Sequence, residues 1–381
     1  MRVLLIANTL PPVDISGVGE QVLQLQAALQ EEGHEVRVLG RGAGGARGTK
    51  LVFPVTAIPA TLRAMKEFAP DVVQVHESDG ALVALIVAAV RGTSQPVPRL
   101  VALLQVSYLE EFRAVRPIRW GGRVLGRPGL AELLFKWVRA PLHVVLGCLA
   151  TWVADLVLAP SRKTAAELER DYGAENVRVL PNVTGGRDVS TVSDGSEEED
   201  GFLLFIGRLR LRKGVEVLLQ AMAALSPTLD GRLLIAGDGE TRDSLERLSS
   251  KLGLQERVRF LGRCSAERIR ALLRGARALI VPSLYEGMPL VVLEAMESGV
   301  PVVASSVSGI PEVVVHQETG WLVPAEDPPA LAAAMTQALS DPQRARAVGA
   351  AGRQRLNELY RPANAASTWL NLLAMEGETL E

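Results

Sequence analysis

The sequence predicts an α/β protein built from two Rossmann-like, doubly wound domains facing a cleft. Three observations carry this. The chain, at 381 residues, exceeds one ordinary core. Short continuous apolar runs, the mark of strands buried on both faces, alternate with segments of helical period through both halves. A Ser-, Gly- and Asp-containing stretch at 185–200, with the acidic run Glu197–Asp200, separates the halves as a solvated linker rather than a metal site. The domains are therefore drawn at 1–184 and 201–362, with a last helix at 363–376.

Composition narrows the function classes. Hydrophobic residues make up 48% of the chain, yet no stretch of 18 apolar residues is free of charge or proline, so no membrane span is expected. The opening Met1–Asn8 carries one basic residue and no cleavage pattern, and reads as a first strand rather than a signal peptide. The expected location is cytoplasmic. Cys148 and Cys264 lie far apart without metal-ligand spacing, which fits a reducing compartment and no zinc site. A net charge of -2 gives no footprint for nucleic acid.

In the first half, Arg2–Ala7 is a strand and Val18–Gln30 has helical period. The loop between them holds Gly17 and Gly19, which let backbone amides approach a phosphate or sugar. A dinucleotide site is the rival reading. The spacing, the long gap after the strand, and Gly40-Arg41 where an acidic residue would close the next strand argue against it. Strands are expected at Val52–Val55, Val72–His76 and Leu100–Leu104, and helices at Ala60–Phe68 and Gly80–Val90. Parallel strands present their C-terminal ends to ligands, so His76 and Gln105 fall where chemistry is expected. His76 reads as a strand-end structural or acceptor-side residue.

Residues 112–139 carry seven basic side chains (Arg113, Arg116, Arg119, Arg123, Arg127, Lys136, Arg139) against one acidic, Glu132, with Phe112, Trp120, Phe135 and Trp137 interleaved. Two readings stand: contact with an anionic membrane surface, which would put the protein at the inner face of the membrane, and a solvated basic flap. The apolar run Leu142–Leu158 follows, cut off by Pro141. Val157–Ser161, a helix over Lys163–Tyr172 and the strand Val177–Leu180 complete the half.

The second half opens with the strand Phe202–Ile206 and Gly207-Arg208-Leu-Arg-Leu-Arg-Lys213-Gly214 before a helix over Val215–Leu225. Arg208 and Lys213 place two cations around a diphosphate, one able to grip it bidentately and the other a point charge. Asp238-Gly-Glu240 is the nearest approach to a metal-binding acidic pair, but it belongs to a strand-end turn. Further elements are the strand Arg257–Leu261, a helix over Ala266–Arg274, the strands Ala278–Val281 and Pro301–Ala304, and helices over Ala330–Leu339 and Arg344–Leu359.

After the strand Ala278–Val281 comes the most informative run, Pro282–Met296. Glu286 and Gly287 form a turn, Pro289 stands where a helix begins, and the first-turn amides of Leu290 and Val291 form an anion site. Glu294 lies about 7 Å down the axis, suited to the two hydroxyls of a ribose. Its neighbours are apolar almost all round, which predicts a buried helix. The alternative is a structural, Arg-paired Glu294.

Pro282–Met296 resembles the paired-glutamate motif of the retaining, nucleotide-sugar-dependent glycosyltransferases of family 4, and Gly207–Gly214 is similar to that family's phosphate-binding loop. The resemblance spans residues 2–375 and is stronger in the second half. It implies the GT-B architecture, with the last helix crossing back to the first domain. It also implies metal-independent transfer of a hexose from a UDP- or GDP-sugar, without further cofactor, to a glycan or lipid-linked acceptor. Glu286 would hold donor-sugar hydroxyls beside Gly287 and the amides of Met288 and Leu290, with Arg208 and Lys213 on the diphosphate. The family's loop at Gly17 and Gly19 faces diphosphate and acceptor, and the backbone at Arg263 meets the base. Three departures stand out: Gln105 where a donor-contacting His is common, Val183 where a Gly follows Pro-Asn, and Met288-Pro289 where Phe-Gly is common. A nucleotide-sugar epimerase would need more cleft carboxylates and histidines. A silent binding subunit would have less need of Arg208, Lys213, Glu286 and Glu294 together.

Overall fold

The computed structural model describes residues 1–11, 17–41, 49, 52–93, 97–185, 201–226, 229 and 231–375. Residues 186–200 of the linker expected at 185–200, including Glu197–Asp200, lie outside the described residues. In chain order the elements begin with Arg2–Ala7 (β1), Gly17–Glu31 (α1), Glu35–Gly40 (β2), Phe53–Phe68 (α2), Val72–His76 (β3), Ala81–Val90 (α3) and Arg99–Leu103 (β4). Tyr108–Ala114 (α4), Ile118–Trp120 (β5), Arg123–Gly126 (β6) and Leu130–Leu134 (α5) follow, and α5 runs through a π turn at Phe135–Arg139 into Ala140–Val153 (α6). Leu156–Ala159 (β7), Arg162–Tyr172 (α7) and Val177–Val179 (β8) come next. Beyond residue 200 come Phe202–Ile206 (β9), Val215–Ala224 (α8), Leu233–Ala236 (β10), Arg242–Lys251 (α9), Val258–Gly262 (β11) and Ala266–Gly275 (α10). Ala276–Val281 (β12), Leu290–Glu297 (α11), Val302–Ser305 (β13), Ile310–Val313 (α12), Gly320–Val323 (β14), Pro328–Ser340 (α13), Pro342–Leu359 (α14) and Pro362–Ala374 (α15) close the chain.

These elements form two compact units. The first comprises Met1–Glu111, Val138–Gly185 and Tyr360–Glu381. Its sheet has the order β2-β1-β3-β4-β7-β8, and every pairing in it is parallel. The strand order reverses between β1 and β3, so their C-terminal ends flank the crevice where open α/β sheets take ligands. α15 packs against α1 in this unit, and the indole of Trp369 is fully buried, its N–H donating to Gln74 Oε1 at 2.6 Å.

The second unit comprises Phe112–Trp137 and Gly186–Leu359. Its parallel sheet has the order β11-β10-β9-β12-β13-β14, with the reversal between β9 and β12. The core is Leu-, Val- and Ala-rich, as strands covered on both faces require.

Four expectations are corrected. Residues 112–137, drawn with the first domain, group with the second unit. The reason is burial: Ile118 of the β5–β6 hairpin is fully enclosed in the second unit's core, and Leu125 packs on the same cluster. Val52–Val55 is not a strand but the start of α2. Pro54 suits a first helical turn, and Phe53, Ala57, Thr61, Met65 and Phe68 bury one face at helical spacing, which outweighs the β-branched valines. Pro141 does not break the chain, because the wider π turn just before it releases the carbonyl that a proline cannot bond. As a result one helix, Leu130–Val153, is long and apolar enough to cross a membrane by length and composition. Finally, α11 is not buried all round. Val292, Leu293, Ala295 and Met296 are buried while Leu290, Val291 and Glu294 share a half-exposed side.

Candidate functional site

In the second unit the strand reversal brings the loop after β9 against the loop after β12. The Arg-Leu-Arg-Leu-Arg run explains itself there: Leu209 and Leu211 are buried in the core, Arg208 is exposed, and Arg210 and Arg212 are part-buried. The loop then tightens into a 3-10 turn at Leu211–Lys213 and reverses at Gly214, whose φ of 69° lies in the left-handed region. A Cβ on Gly214 would overlap the carbonyl oxygen of Pro282, so the two loops approach only because this residue is glycine. They are also stitched together, with Leu284 N–H donating to Arg212 O at 2.8 Å and an Arg212 guanidinium N–H donating to Tyr285 O at 3.4 Å.

This stitching sets Lys213 on Glu286. The ammonium forms a charged hydrogen bond to Glu286 Oε1, which also accepts from Ser283 Oγ at 2.7 Å. Burial by itself would raise the Glu286 pKa, but the Lys213 and Arg212 charges and the two hydrogen bonds outweigh it and hold the carboxyl below its usual range. The turn is fixed from a third side, since Glu286 N–H donates to Ser308 Oγ at 3.2 Å and Gly309 N–H donates to Gly287 O at 2.9 Å. Ser308 holds a φ of 50°, a conformation that costs a non-glycine residue of order 1 kcal/mol.

Arg208 sits elsewhere in the same unit. With Arg210 it pairs Glu240, at 3.0 Å for Arg208 and 3.4 Å for Arg210. Arg208 is largely exposed, so this pair is screened and parts at little cost, leaving the guanidinium able to turn to a phosphate. Asp238-Gly-Glu240 is therefore a turn that steadies the arginines. Leu209 N–H donates to Asp238 O at 3.0 Å, and a Cβ on Gly239 would overlap Leu209 O. Arg263 is exposed just after Gly262, whose carbonyl accepts from Gly237 N–H at 2.8 Å. Met288 is buried, Leu290 and Val291 open the first turn of α11, and Glu294 lies one turn on along the same side.

Reading the sequence missed one anchor of this loop. Glu132 was visible only as the lone acid in a basic stretch. It is buried, its Oε1 accepts from Leu211 N–H at 2.6 Å, and its Oε2 accepts from Gly129 N–H at 3.1 Å. The 112–137 segment thus braces the loop that carries Lys213. The one available signal was Gly129-Leu-Ala-Glu132, an acid at the third helical position.

In the first unit the strand ends carry a second set of polar groups. Gly19 lies inside α1, where a Cβ would overlap Thr9 O, so its role is close approach of α1 to the end of β1; Gly17 is exposed at the helix start. His76 is buried, and its Nε2 lies 3.0 Å from Gln74 Nε2. An amide NH2 only donates, so His76 Nε2 accepts and the ring proton sits on Nδ1. Burial lowers this His to about 3, so it is neutral and structural across the physiological range. Gln105 donates its N–H to Glu77 Oε1 at 3.1 Å and accepts from Asn182 Nδ2 at 2.8 Å. Glu77 went unnoticed in the sequence. Its φ is 61°, its Oε2 is buried without a partner among the described residues, and burial, with Asp79 and Glu111 nearby, raises its pKa to about 8.

A pH dependence follows. Between about 4.5 and 8 the native protein keeps a proton on Glu77 that the unfolded chain has lost, so stability falls as pH rises through that window. Glu216, raised to about 7 by burial and by Glu132, adds to the fall in its lower part. His76 acts oppositely below pH 6.5, where the unfolded chain takes up a proton first. The thermal midpoint should therefore drop between pH 6.5 and 8, and Glu77→Gln should remove about 2 kcal/mol of that drop. Equal midpoint changes for wild type and Glu77→Gln would contradict the neutral carboxyl.

With this geometry established, comparison with known proteins decides the family. The sequence model of glycosyl transferases group 1 matches residues 187–355, and that of glycosyltransferase family 4 matches residues 15–184. The chain belongs to the family 4, group 1 glycosyltransferases. It is an enzyme that transfers sugar from a nucleotide-sugar donor, which sets aside the epimerase and silent-subunit readings. The Mycobacterium tuberculosis glycogen synthase is 27% identical, with 99% of this chain and 96% of that protein aligned. The D-inositol 3-phosphate glycosyltransferase of Corynebacterium glutamicum is 34% identical, but over only 49% of this chain and 50% of its own length. Among solved structures, sucrose-phosphate synthase from Thermosynechococcus elongatus superposes with a TM-score of 0.77 at 24% identity, covering 99% of both chains. At that identity the likeness shows the fold, and this glycosyltransferase has the two-domain GT-B fold.

Proposed function

We propose that this glycosyltransferase moves a hexose from a UDP- or GDP-sugar, with retention at the anomeric carbon and without a metal ion, to a glycan or lipid-linked acceptor. The observation that carries the reading is the pairing of part-buried Lys213 with buried Glu286 at the strand reversal of the second unit, ahead of α11. A diphosphate resting on the N–H groups of that turn would meet Lys213 directly and Arg208 after it leaves Glu240. Negative charge building on the leaving phosphate oxygen is then neutralised by fixed cations and amides, the task a metal ion performs elsewhere. Glu286, held ionised, accepts hydrogen bonds from donor-sugar hydroxyls and orients the ring. Glu294, on the half-exposed side of α11, would take the ribose hydroxyls. Glycogen synthase and, at 29% identity over 98% of this chain, the alpha-maltose-1-phosphate synthase of Mycolicibacterium smegmatis favour an acceptor that is itself a sugar or sugar phosphate.

The test follows the anomeric proton by NMR while the purified enzyme is incubated with UDP- and GDP-hexoses, sugar acceptors and a chelator. Consumption of one α-linked donor with formation of an α-linked product is expected. A β-linked product, or turnover only when a divalent metal is restored, would overturn the reading.

A further inference from the structure

In the loop after β13 two neighbouring residues hold each other's natural conformations. Ser308 has a φ of 50°, in the left-handed region that favours glycine. Gly309, the next residue, has a φ of -80° and a ψ of -4°, a conformation open to any side chain. The strain on Ser308 cannot relax, because the loop is tied down on both sides. Ahead of it, Ser306 N–H donates to Val323 O at 2.8 Å; after it, Gly309 N–H donates to Gly287 O at 2.9 Å. Ile310 and Val313 of α12 are buried, and Arg355 on α14 donates to the carbonyl oxygens of Glu312 and Val313, both at 3.0 Å. A strained residue persists where its surroundings over-determine it, and such residues gather where function requires them. What serine supplies here and glycine cannot is an oxygen. Ser308 Oγ accepts from Glu286 N–H at 3.2 Å.

We propose that Ser308 is a positioning residue for the transfer reaction, its hydroxyl held by a strained backbone so that Glu286 presents its carboxylate to the donor sugar in one direction. All the residues involved belong to the second unit. Glu286 is gripped at two ends. Its side chain is fixed by Lys213 Nζ and Ser283 Oγ, and both bonds end on Oε1. Its main chain is fixed by Ser308. With both ends held, the Cα–Cβ bond keeps its direction, and a carboxylate that orients a sugar ring must be held to a fraction of an ångström. Without the hydroxyl, the Glu286 amide loses its acceptor and the turn can pivot about the side-chain anchors. The inference rests on Glu286 acting on the donor sugar, as proposed above.

Ser308→Gly and Ser308→Thr separate positioning from folding, because they change hydroxyl and strain in opposite senses. Ser308→Gly removes both. Its thermal midpoint should stay within about 2 °C of the wild type, while kcat with the UDP- and GDP-hexoses falls about tenfold and the donor KM holds. Ser308→Thr keeps a hydroxyl but worsens the strain, since β-branched residues tolerate a positive φ least. Its midpoint should drop by roughly 2–4 °C, with kcat retained in the folded enzyme. Amide hydrogen exchange over residues 283–287, which needs no turnover, should be faster in Ser308→Gly and unchanged in Ser308→Thr. A normal kcat or unchanged exchange in Ser308→Gly, or a kcat that follows the midpoint in both variants, overturns the proposal. Glu286→Ala is measured alongside: if that enzyme keeps a normal kcat, the proposed role of Glu286 fails and this inference with it, whereas an impaired Glu286→Ala beside a normal Ser308→Gly sinks the inference alone.

Discussion

Glu286→Ala is expected to lower turnover by about 10²- to 10³-fold, the loss seen when one preorganised polar group is removed from a reacting centre. Nucleotide affinity should be largely retained, because the proposed function puts the diphosphate and the base on other residues. The fall should appear in kcat more than in KM. Truncation also takes from Lys213 the carboxylate it pairs with, so folding stability should fall by about 1–3 kcal/mol. Glu286→Gln separates the two effects: it keeps the shape and an acceptor oxygen but loses the charge. The partner change makes a sharper demand. Burial alone would raise the Glu286 pKa, and Lys213 is the first cation that opposes it. In Lys213→Met the acid limb of the pH–rate profile should therefore move to higher pH. An acid limb unmoved by Lys213→Met, or a Glu286→Ala enzyme with normal kcat, would remove this pair from the mechanism.

Gly214→Ala is expected to be severely damaging, although it adds a single methyl group to a loop of the second unit. Two costs combine. The residue sits at φ 69°, and its new Cβ would overlap the Pro282 carbonyl oxygen, which is backbone and cannot swing aside. Left-handed strain and overpacking together cost roughly 2–5 kcal/mol. The loops should separate, taking Lys213 off Glu286, so activity should fall even in the fraction that folds. Gly299→Ala is the control. It shares the conformation, φ 70°, but nothing lies within 4 Å of its added Cβ. Its cost should stay near 1 kcal/mol with activity intact. Equal effects of the two substitutions, read by denaturant midpoint, would show that the approach of the two loops is not what Gly214 protects.

The second half was legible because its signals are local in sequence. A strand, a glycine turn and an alternating Arg-Leu run announce a loop with cations outside and leucines inside. Pro282–Met296 likewise announces an acid turn running into a helix start. What those runs cannot say is which cation meets which carboxylate. That is set by β9 and β12 being neighbours and by Gly214 against Pro282, contacts some seventy residues apart in sequence, so Lys213 rather than Arg208 came to rest on Glu286. Glu132 was illegible for a related reason. Its partner, Leu211 N–H, is a backbone group with no sequence signature, reached because the chain detours through the second unit between residues 112 and 137. Glu77 was hidden by its neutrality, since a protonated buried carboxyl looks like any charge in a sequence. Val52–Val55 shows the remaining kind of error: four residues of strand-like composition yielded to a proline placed for a helix start and a buried stripe extending to Phe68.

The central claim is that Lys213 and Arg208 hold the diphosphate of a nucleotide-sugar donor in the second unit. Its most direct test is thermal stabilisation of the wild type and of Arg208→Ala by UDP, GDP and ADP in a chelating buffer. Arg208 is chosen because its pair with Glu240 is largely exposed, so the variant should fold with an unchanged midpoint in the absence of ligand. One nucleotide should stabilise the wild type, by about 2.7 kcal/mol at a hundredfold excess over Kd, and Arg208→Ala should show a clearly smaller shift at the same concentration. No shift with any of the three, or an undiminished shift in the variant, would contradict the account.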